Sequence, residues 1–373
     1  MTEQPRRVVV ALRGGISLPD GETILPALVV RHDYDIVAIV SGHHDAECSV
    51  ALEARSGRVE AASLLIDGEM ILVGGVRFAG PRFSFMPLSN ASADFGRFDR
   101  QERVFGRVGQ KVLRGLHVGV VGAGGTGSAV IEQLARIGIG RLTVVDDDVV
   151  TETNLSRIHQ SETGDVGTAK CEVAGRLARD LGVEYRALAG RVTAREVARE
   201  LRICDIVIGC TDDHAGRIVL ARMAPRYLQL FVDIGVTVDV IEGRVVGAPC
   251  RVSVQEPGDV CLICRGHVSL AHASAELLTE DDRRFRQGEG YVPGLGEPDP
   301  SVVAYTTLAA STAVAEVLSR LFGFACANHN DILVDPIAGR WSSLNRRTGP
   351  LDGCTSYEVI GSGDGETFLG MAW

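Results

Sequence analysis

The residues best suited to chemistry stand in one stretch of the chain. Gly122, Gly124 and Gly127, with Gly125 among them, give a G-x-G-x-x-G spacing directly after the apolar run Val118 to Val121. Glycines so spaced allow a tight turn, close approach of the backbone to phosphates and close packing of a helix on a strand. Asp146 follows about twenty residues on, where a carboxylate accepts the hydroxyls of a ribose. Alone, this pattern reads as a dinucleotide site. The residues after it read differently: Asn154-Leu-Ser-Arg157, then Lys170 at the start of the next helix, then Cys210-Thr-Asp212 at the end of a later strand. A hydride-transfer enzyme has no evident need for Asn and Arg just past its ribose acid. Cations at the carboxyl edge of an open sheet face bound phosphates, and a carboxylate there holds Mg2+ bridging phosphate oxygens. Together they describe a triphosphate site. Asp212 has a second reading as a helix N-cap, because Asp is a favoured cap and a helix follows.

The elements that must position these residues alternate. Strands are expected at 117–121, 141–146, 183–189, 204–209 and 228–234, and helices at 127–137, 167–181, 193–202 and 213–225. This is the α/β pattern of a Rossmann-like, doubly wound, mostly parallel sheet. The runs Leu142 to Val145 and Asp205 to Ile208 are almost continuously apolar, as strands covered on both faces require. Beyond Thr237 the pattern predicts an antiparallel C-terminal extension near 238–255, a corner at Cys261 and Cys264, and a long polar crossover from about 266 to 300. A helix from Val302 to Leu321 and a strand from Ile332 to Val334 complete it. Residues 1–92 carry short β-branched runs broken by Gly, Pro, Asp and His, and predict a small strand-rich N-terminal domain suited to substrate recognition. The second domain is expected over 93–354, opening with a charged amphipathic helix at 96–116, and 355–373 as a loosely ordered tail.

Composition sets outer limits. The chain has 373 residues, with 38 basic against 48 acidic side chains and a net charge of -10, which argues against nucleic acid or an anionic membrane as partner. No apolar run approaches the ~20 residues that span a bilayer, so a soluble, cytoplasmic protein is expected. Nine cysteines, mostly within apolar runs, read as reduced core residues. Only Cys261-x-x-Cys264 and Cys326-x-x-His329 have ligand spacing. His43-His44-Asp45, near Cys48, reads as a polar turn, since adjacent histidines are poorly placed to share one metal.

In order along the chain stand Arg97-Phe-Asp-Arg100-Gln101, the glycine loop, Asp146 to Arg157, Lys170, Cys210-Thr-Asp212, Cys261-x-x-Cys264 and Pro300-Ser-Val302. This ordered set resembles the ThiF/MoeB/HesA family, bacterial relatives of ubiquitin-activating enzymes, over roughly residues 96 to 354. The resemblance implies an ATP-dependent adenylyltransferase. Gly122, Gly124, Gly125, Gly127, Asp146 and Asp148 would bind the nucleotide, Asn154, Arg157 and Lys170 its phosphates, and Asp212 Mg2+ and the reaction. It also implies a homodimer in which Arg100 reaches the partner's site. The implied reaction is attack of a C-terminal carboxylate on the α-phosphate. With a pKa of about 3.5 that nucleophile is already ionised and needs no base.

The chain departs from the family pattern in three places. No cysteine lies between Cys264 and Cys326, so the expected reaction is adenylation without a covalent enzyme intermediate. The family's zinc site joins two Cys-x-x-Cys pairs, and here Cys354 stands near the second without a companion, so zinc would rest on Cys261, Cys264 and Cys354. Ile158 replaces the amide that the family carries after its Arg. The expected partner is a ubiquitin-like or sulfur-carrier protein, or else the precursor peptide of a modified natural product. An NAD(P)-dependent oxidoreductase and a non-catalytic dimeric scaffold are the rival classes.

Overall fold

The computed structural model describes residues 95–288, 300–324, 329–345, 354, 356 and 359–360, and only paired strands between Ile16 and Pro87. Those strands are all antiparallel: Ile16–Ser17 with Thr23–Ile24, Val29–His32 with Asp35–Ala38, Cys48–Arg55 with Arg58–Ile66 and Glu69–Leu72, and Gly75–Phe78 with Ser84–Pro87. None joins the main sheet. Residues 1–15, the His43-His44-Asp45 turn, residues 325–328 and nearly all of the tail lie outside the described residues.

The main sheet has eight strands: β1 (His117–Val121), β2 (Arg141–Val145), β3 (Glu184–Leu188), β4 (Ile206–Gly209), β5 (Leu230–Val236), β6 (Cys250–Gln255), β7 (Asp331–Asp335) and β8 (Arg340–Leu344). Their spatial order is β3-β2-β1-β4-β5-β6-β7-β8. The first five are parallel and the last three antiparallel, which is the doubly wound sheet and extension the sequence predicts. The order reverses at β1, so the crevice for a ligand opens beyond the carboxyl ends of β1 and its neighbours.

Both faces of the parallel strands are covered. Val118, Val120, Ile206, Ile208 and Val232 pack with α2 (Gly125–Ile137) and α9 (Val303–Phe322) in one cluster, while Val121, Val207 and Phe231 pack with α5 (Arg195–Leu201) and α6 (His214–Arg226) in another. This two-sided burial is why the strands read as unbroken apolar runs.

Four local expectations need correction. The helix expected over 167–181 is two short helices, α3 (Lys170–Ala174) and α4 (Arg176–Asp180), broken at Gly175. The Tyr185 ring fills the space where a side chain at Gly175 would sit, and its hydroxyl donates to the Cys171 carbonyl. The Gly175 N–H then turns to Glu172 O instead. The opening helix α1 (Phe95–Gly115) is kinked at Gly106, whose φ of 70° is left-handed. The polar crossover contains two helices, α7 (Leu270–Glu276) and α8 (Glu280–Gly288), and β8 was not expected at all. No helix among the described residues is long and apolar enough to cross a membrane.

Candidate functional site

The loop between β1 and α2 is built by steric necessity. Gly122 has φ +92°, and a Cβ there would lie 2.6 Å from the Cys210 carbonyl oxygen. A Cβ on Gly127 would lie 1.8 Å from Gly122 O. Gly124 differs, since a Cβ there would meet no protein atom within 4 Å. It faces open space, where a ligand's phosphates can approach the backbone. Gly124 is also the N-cap of α2 and offers no side-chain acceptor, so the first N–H groups of the helix stay available to an anion.

Asp146 closes the other side of the loop. Its Oδ2 accepts from Ala123 N at 2.6 Å and its Oδ1 from Asp148 N at 2.9 Å, which fixes the carboxylate beside the turn and leaves each oxygen a lone pair for a ribose hydroxyl. Burial raises this carboxyl above its ordinary value, and the two N–H donors and nearby Lys170 offset that only in part.

Residues 150–168 form an excursion whose ends are tied together. Val150 N donates to Thr168 O, Gly167 N to Val150 O, and Lys170 N to Asp148 O, with a β-bridge between Val149 and Ala169. This closure carries Lys170 back to the ribose acid, where its Nζ lies 2.6 Å from Asp148 Oδ2. The Lys170 side chain is 12% exposed and that of Asp148 66% exposed. An ion pair with one partner so exposed is worth at most about 1 kcal/mol, so a triphosphate can take the lysine over.

Within the excursion, buried Asn154 caps a single 3-10 turn by accepting from Thr151 N at 3.2 Å. Arg157 N donates to Asn154 O, and the Arg157 stem lies over Gly125, 3.3 Å from where its Cβ would stand. The guanidinium donates to the Thr153 carbonyl at 2.9 Å, within the same excursion, while its stem covers the first residue of α2. Ile158, which stands where the family has an amide, is buried with Val150, Val173 and Leu155 and anchors the excursion instead. The Thr306 hydroxyl of α9 lies equally close, 3.3 Å from where a Cβ on Gly125 would stand. Its only sequence signal is its place just after Pro300-Ser-Val302.

The cap reading of Asp212 is resolved by its neighbour. Asp213 is the N-cap of α6, accepting from Gly216 N and from the Thr211 hydroxyl. Asp212 is exposed and has no hydrogen bond or ion pair among the described residues, so its carboxylate is available to a hard cation. Glu276 of α7 adds a second, unforeseen cap by accepting from His214 N at 3.1 Å and Ala215 N at 2.8 Å.

Two predicted groups lie elsewhere. Arg100 is exposed on α1, next to Gln101, which donates to Arg136 O at the far end of α2. A helix of that length puts it roughly 15–20 Å from the glycine loop of its own chain. Cys261, Cys264 and Cys354 form a separate cluster with their sulfurs all within 4.8 Å of one another, the first and last 3.7 Å apart. Zn–S bonds of about 2.3 Å in a tetrahedron place sulfurs about 3.8 Å apart, so the three thiols fit a zinc ion. Among the described residues none supplies a fourth ligand. Arg265, wholly buried, ties this corner to the sheet by donating to Val260 O and Val254 O at 2.7 Å each and to Asn330 O at 3.2 Å.

The ThiF family model matches residues 98–350, more than half of the chain. The chain belongs to the ThiF family. The adenylyltransferase and sulfurtransferase UBA4 of Yarrowia lipolytica is 38% identical over 133 residues, 34% of this chain and 33% of that protein. The SAMP-activating enzyme E1 of Haloferax volcanii is 38% identical over 136 residues, 35% of this chain and 50% of that one. The chain thus spans between about a third and a half of the length of these curated relatives. Among solved structures, Escherichia coli MccB with ATP superposes with a TM-score of 0.54 at 19% identity, covering 72% of this chain and 75% of that one. At that identity the likeness shows the shared fold.

Proposed function

We propose that this ThiF-family chain is an ATP-dependent adenylyltransferase that activates the C-terminal carboxylate of a ubiquitin-like or sulfur-carrier protein. What supports this is that the Arg157 stem lies against Gly125, Lys170 pairs with Asp148 beside the ribose acid, and Asp212 follows Cys210, whose carbonyl abuts Gly122. A hydride-transfer site would not require two cations and an unpaired acid there. A carboxylate oxygen attacks the α-phosphorus, the bond to the bridging oxygen of the β-phosphate breaks, and pyrophosphate leaves with that electron pair. No proton moves.

The chain's task is to hold two anions together and to neutralise charge gathering on the pyrophosphate. Arg157 and Lys170 would do this, and losing one such group commonly costs about 2–4 kcal/mol of transition-state stabilisation. Asp146 holds the ribose, and Asp212 would hold Mg2+, which supplies charge neutralisation across phosphate oxygens. The site residues are drawn from strand ends and ordered turns, with no Ser-His or Cys-His pair among those that converge there. That fits a nucleophile already ionised at neutral pH. The names of the relatives from Yarrowia lipolytica and Haloferax volcanii support the reaction class.

With no cysteine between Cys264 and Cys326, the reaction ends at the acyl-adenylate without an enzyme thioester. Cys261, Cys264 and Cys354 hold a structural zinc. Because Arg100 is far from its own glycine loop, it serves the site of a second copy in a homodimer. Residues 1–92 form a separate recognition domain. A second reading, adenylation of a precursor peptide, draws on the same site and on the likeness to MccB, solved with a peptide named MccA.

ATP–pyrophosphate exchange separates these readings from their rivals. Exchange that depends on an added carrier protein or peptide, with no NAD(P)H turnover, is the expected result. Hydride transfer without exchange would overturn the proposal.

A further inference from the structure

Beside Cys210 lies a charged cluster built around Asp233. β5 presents Asp233 and Gly235 on one face, as the two-residue period of a strand requires. Asp233 is fully buried, and its Oδ2 accepts from Arg251 of β6 at 2.7 Å. Arg217 of α6 brings its Nε to 3.2 Å from Oδ1, but out of line, so neither of these buried atoms has a directed hydrogen bond. Arg217 Nη2 reaches the Ile234 carbonyl at 3.4 Å. Over Gly235 the two guanidinium groups converge: a Cβ there would lie 3.4 Å from Arg251 Nη2 and 3.8 Å from Arg217 Nη2.

Arg217 and Arg251 face Asp233, and Asp331 and Arg265 act on Arg251 with opposite sign, which leaves a surplus positive charge, with the first two arginines only 12% and 18% exposed. Such a charge, withdrawn from water and incompletely paired, favours a second anion, and a planar guanidinium suits a carboxylate. The cluster borders the reaction site. A Cβ on Gly209 would stand 3.5 Å from Asp233 Oδ1, and the next residue, Cys210, roofs the glycine loop. Arg217 stands in the first turn of α6, which Asp213 caps directly after Asp212.

We propose that Arg217 and Arg251, bridged by Asp233, form the subsite that receives the terminal carboxylate of the acyl substrate. This rests on the adenylation reading. The phosphates have the glycine loop, Arg157 and Lys170 on the β1–β2 side, and in-line displacement brings the nucleophile from the side away from the leaving pyrophosphate. One carboxylate oxygen rests on the guanidinium groups while the other faces phosphorus.

Saturation-transfer NMR on the full chain with α,β-methylene-ATP, using glycylglycine and glycylglycinamide as probes, tests this. Glycylglycine is expected to give signal and the amide none. Arg217→Gln and Arg251→Gln should each weaken glycylglycine binding about 10- to 100-fold, the range for loss of a charged hydrogen bond, with nucleotide affinity kept. Arg217→Lys should fall between, and remains informative if the Gln variant does not fold. Absence of signal with the unsubstituted chain, equal signal from the amide, or undiminished binding in the folded variants would overturn the subsite. Loss of nucleotide affinity in Arg217→Gln, with pyrophosphate displacing glycylglycine, would assign it to phosphate and overturn it too. A chain that exchanges pyrophosphate with a carrier but is indifferent to Arg217 refutes this inference alone. A chain that binds glycylglycine as described but never exchanges pyrophosphate refutes the adenylation reading alone.

Discussion

Gly124 and Gly127 stand three residues apart in the same loop, and the structure predicts opposite outcomes when each becomes alanine. At Gly127 the new methyl would lie 1.8 Å from the Gly122 carbonyl oxygen. That oxygen is backbone and cannot swing aside, so the start of α2 must move by more than about 1 Å in an interior packed at crystal density. Overpacking of this kind costs about 1–3 kcal/mol, and the rigid neighbour puts Gly127→Ala at or above about 3 kcal/mol. Gly124 is extended, with φ -71° and ψ -156°, and its methyl meets nothing. Gly124→Ala should therefore keep wild-type stability or gain up to about 1 kcal/mol from a less flexible unfolded chain. It should still lose ATP affinity by roughly 10- to 100-fold, because the methyl occupies the approach of the phosphates to the backbone. Urea unfolding measures the first quantity and calorimetric titration with α,β-methylene-ATP the second. Equal stabilities for the two variants, or undiminished nucleotide binding by Gly124→Ala, would refute the steric account of the loop.

Four further outcomes are expected. Asp212→Ala should abolish pyrophosphate exchange with stability unchanged within about 0.5 kcal/mol, whereas Asp213→Ala should cost about 1 kcal/mol as a lost N-cap; urea unfolding beside the exchange assay distinguishes them. Asp331 is held down to about 2, burial being outweighed by hydrogen bonds and charge from His267, Arg265 and Ser253. A depressed carboxyl stabilises the fold above its unfolded pKa, so on the order of 2 kcal/mol should be lost as pH falls from about 4 to 2, and Asp331→Asn should flatten that stretch of the stability–pH curve. Mixing inactive Arg100→Ala and Lys170→Ala chains should restore part of the activity, because a hybrid dimer carries one intact site; no recovery after subunit exchange would set aside the role across the interface. Metal analysis should find one zinc per chain, reduced by Cys354→Ser, and zinc-free protein of full stability would contradict the structural site.

Much of the fold is legible in the sequence because two-sided burial leaves continuous apolar strands. The glycine loop is legible because two of its glycines are forced by backbone contacts, Gly122 by Cys210 and Gly127 by Gly122. The rest depends on contacts between distant residues. The break at Gly175 comes from Tyr185, which takes a carbonyl out of the helical ladder, and a propensity reading sees only a continuous helix. β8 is an edge strand whose residues are all exposed, so it lacks the alternation that marks a half-buried strand. In the site, Gly122, Asp146, Asn154, Arg157 and Lys170 are legible from spacing. Arg217, Asp233 and Arg251 are not, because three separate elements bring them together, and Glu276 reaches α6 from within a stretch that reads only as a polar crossover. The choice between Asp212 and its neighbour as cap also required geometry, since either Asp satisfies the sequence preference.

Mass spectrometry of a small carrier protein incubated with this chain, ATP and Mg2+ tests adenylation most directly. The expected result is a carrier mass increased by one AMP at its C-terminal carboxyl, with release of pyrophosphate and loss of both in Lys170→Ala. A carrier that stays unmodified across the candidates tested while ATP is cleaved to ADP and phosphate would contradict it.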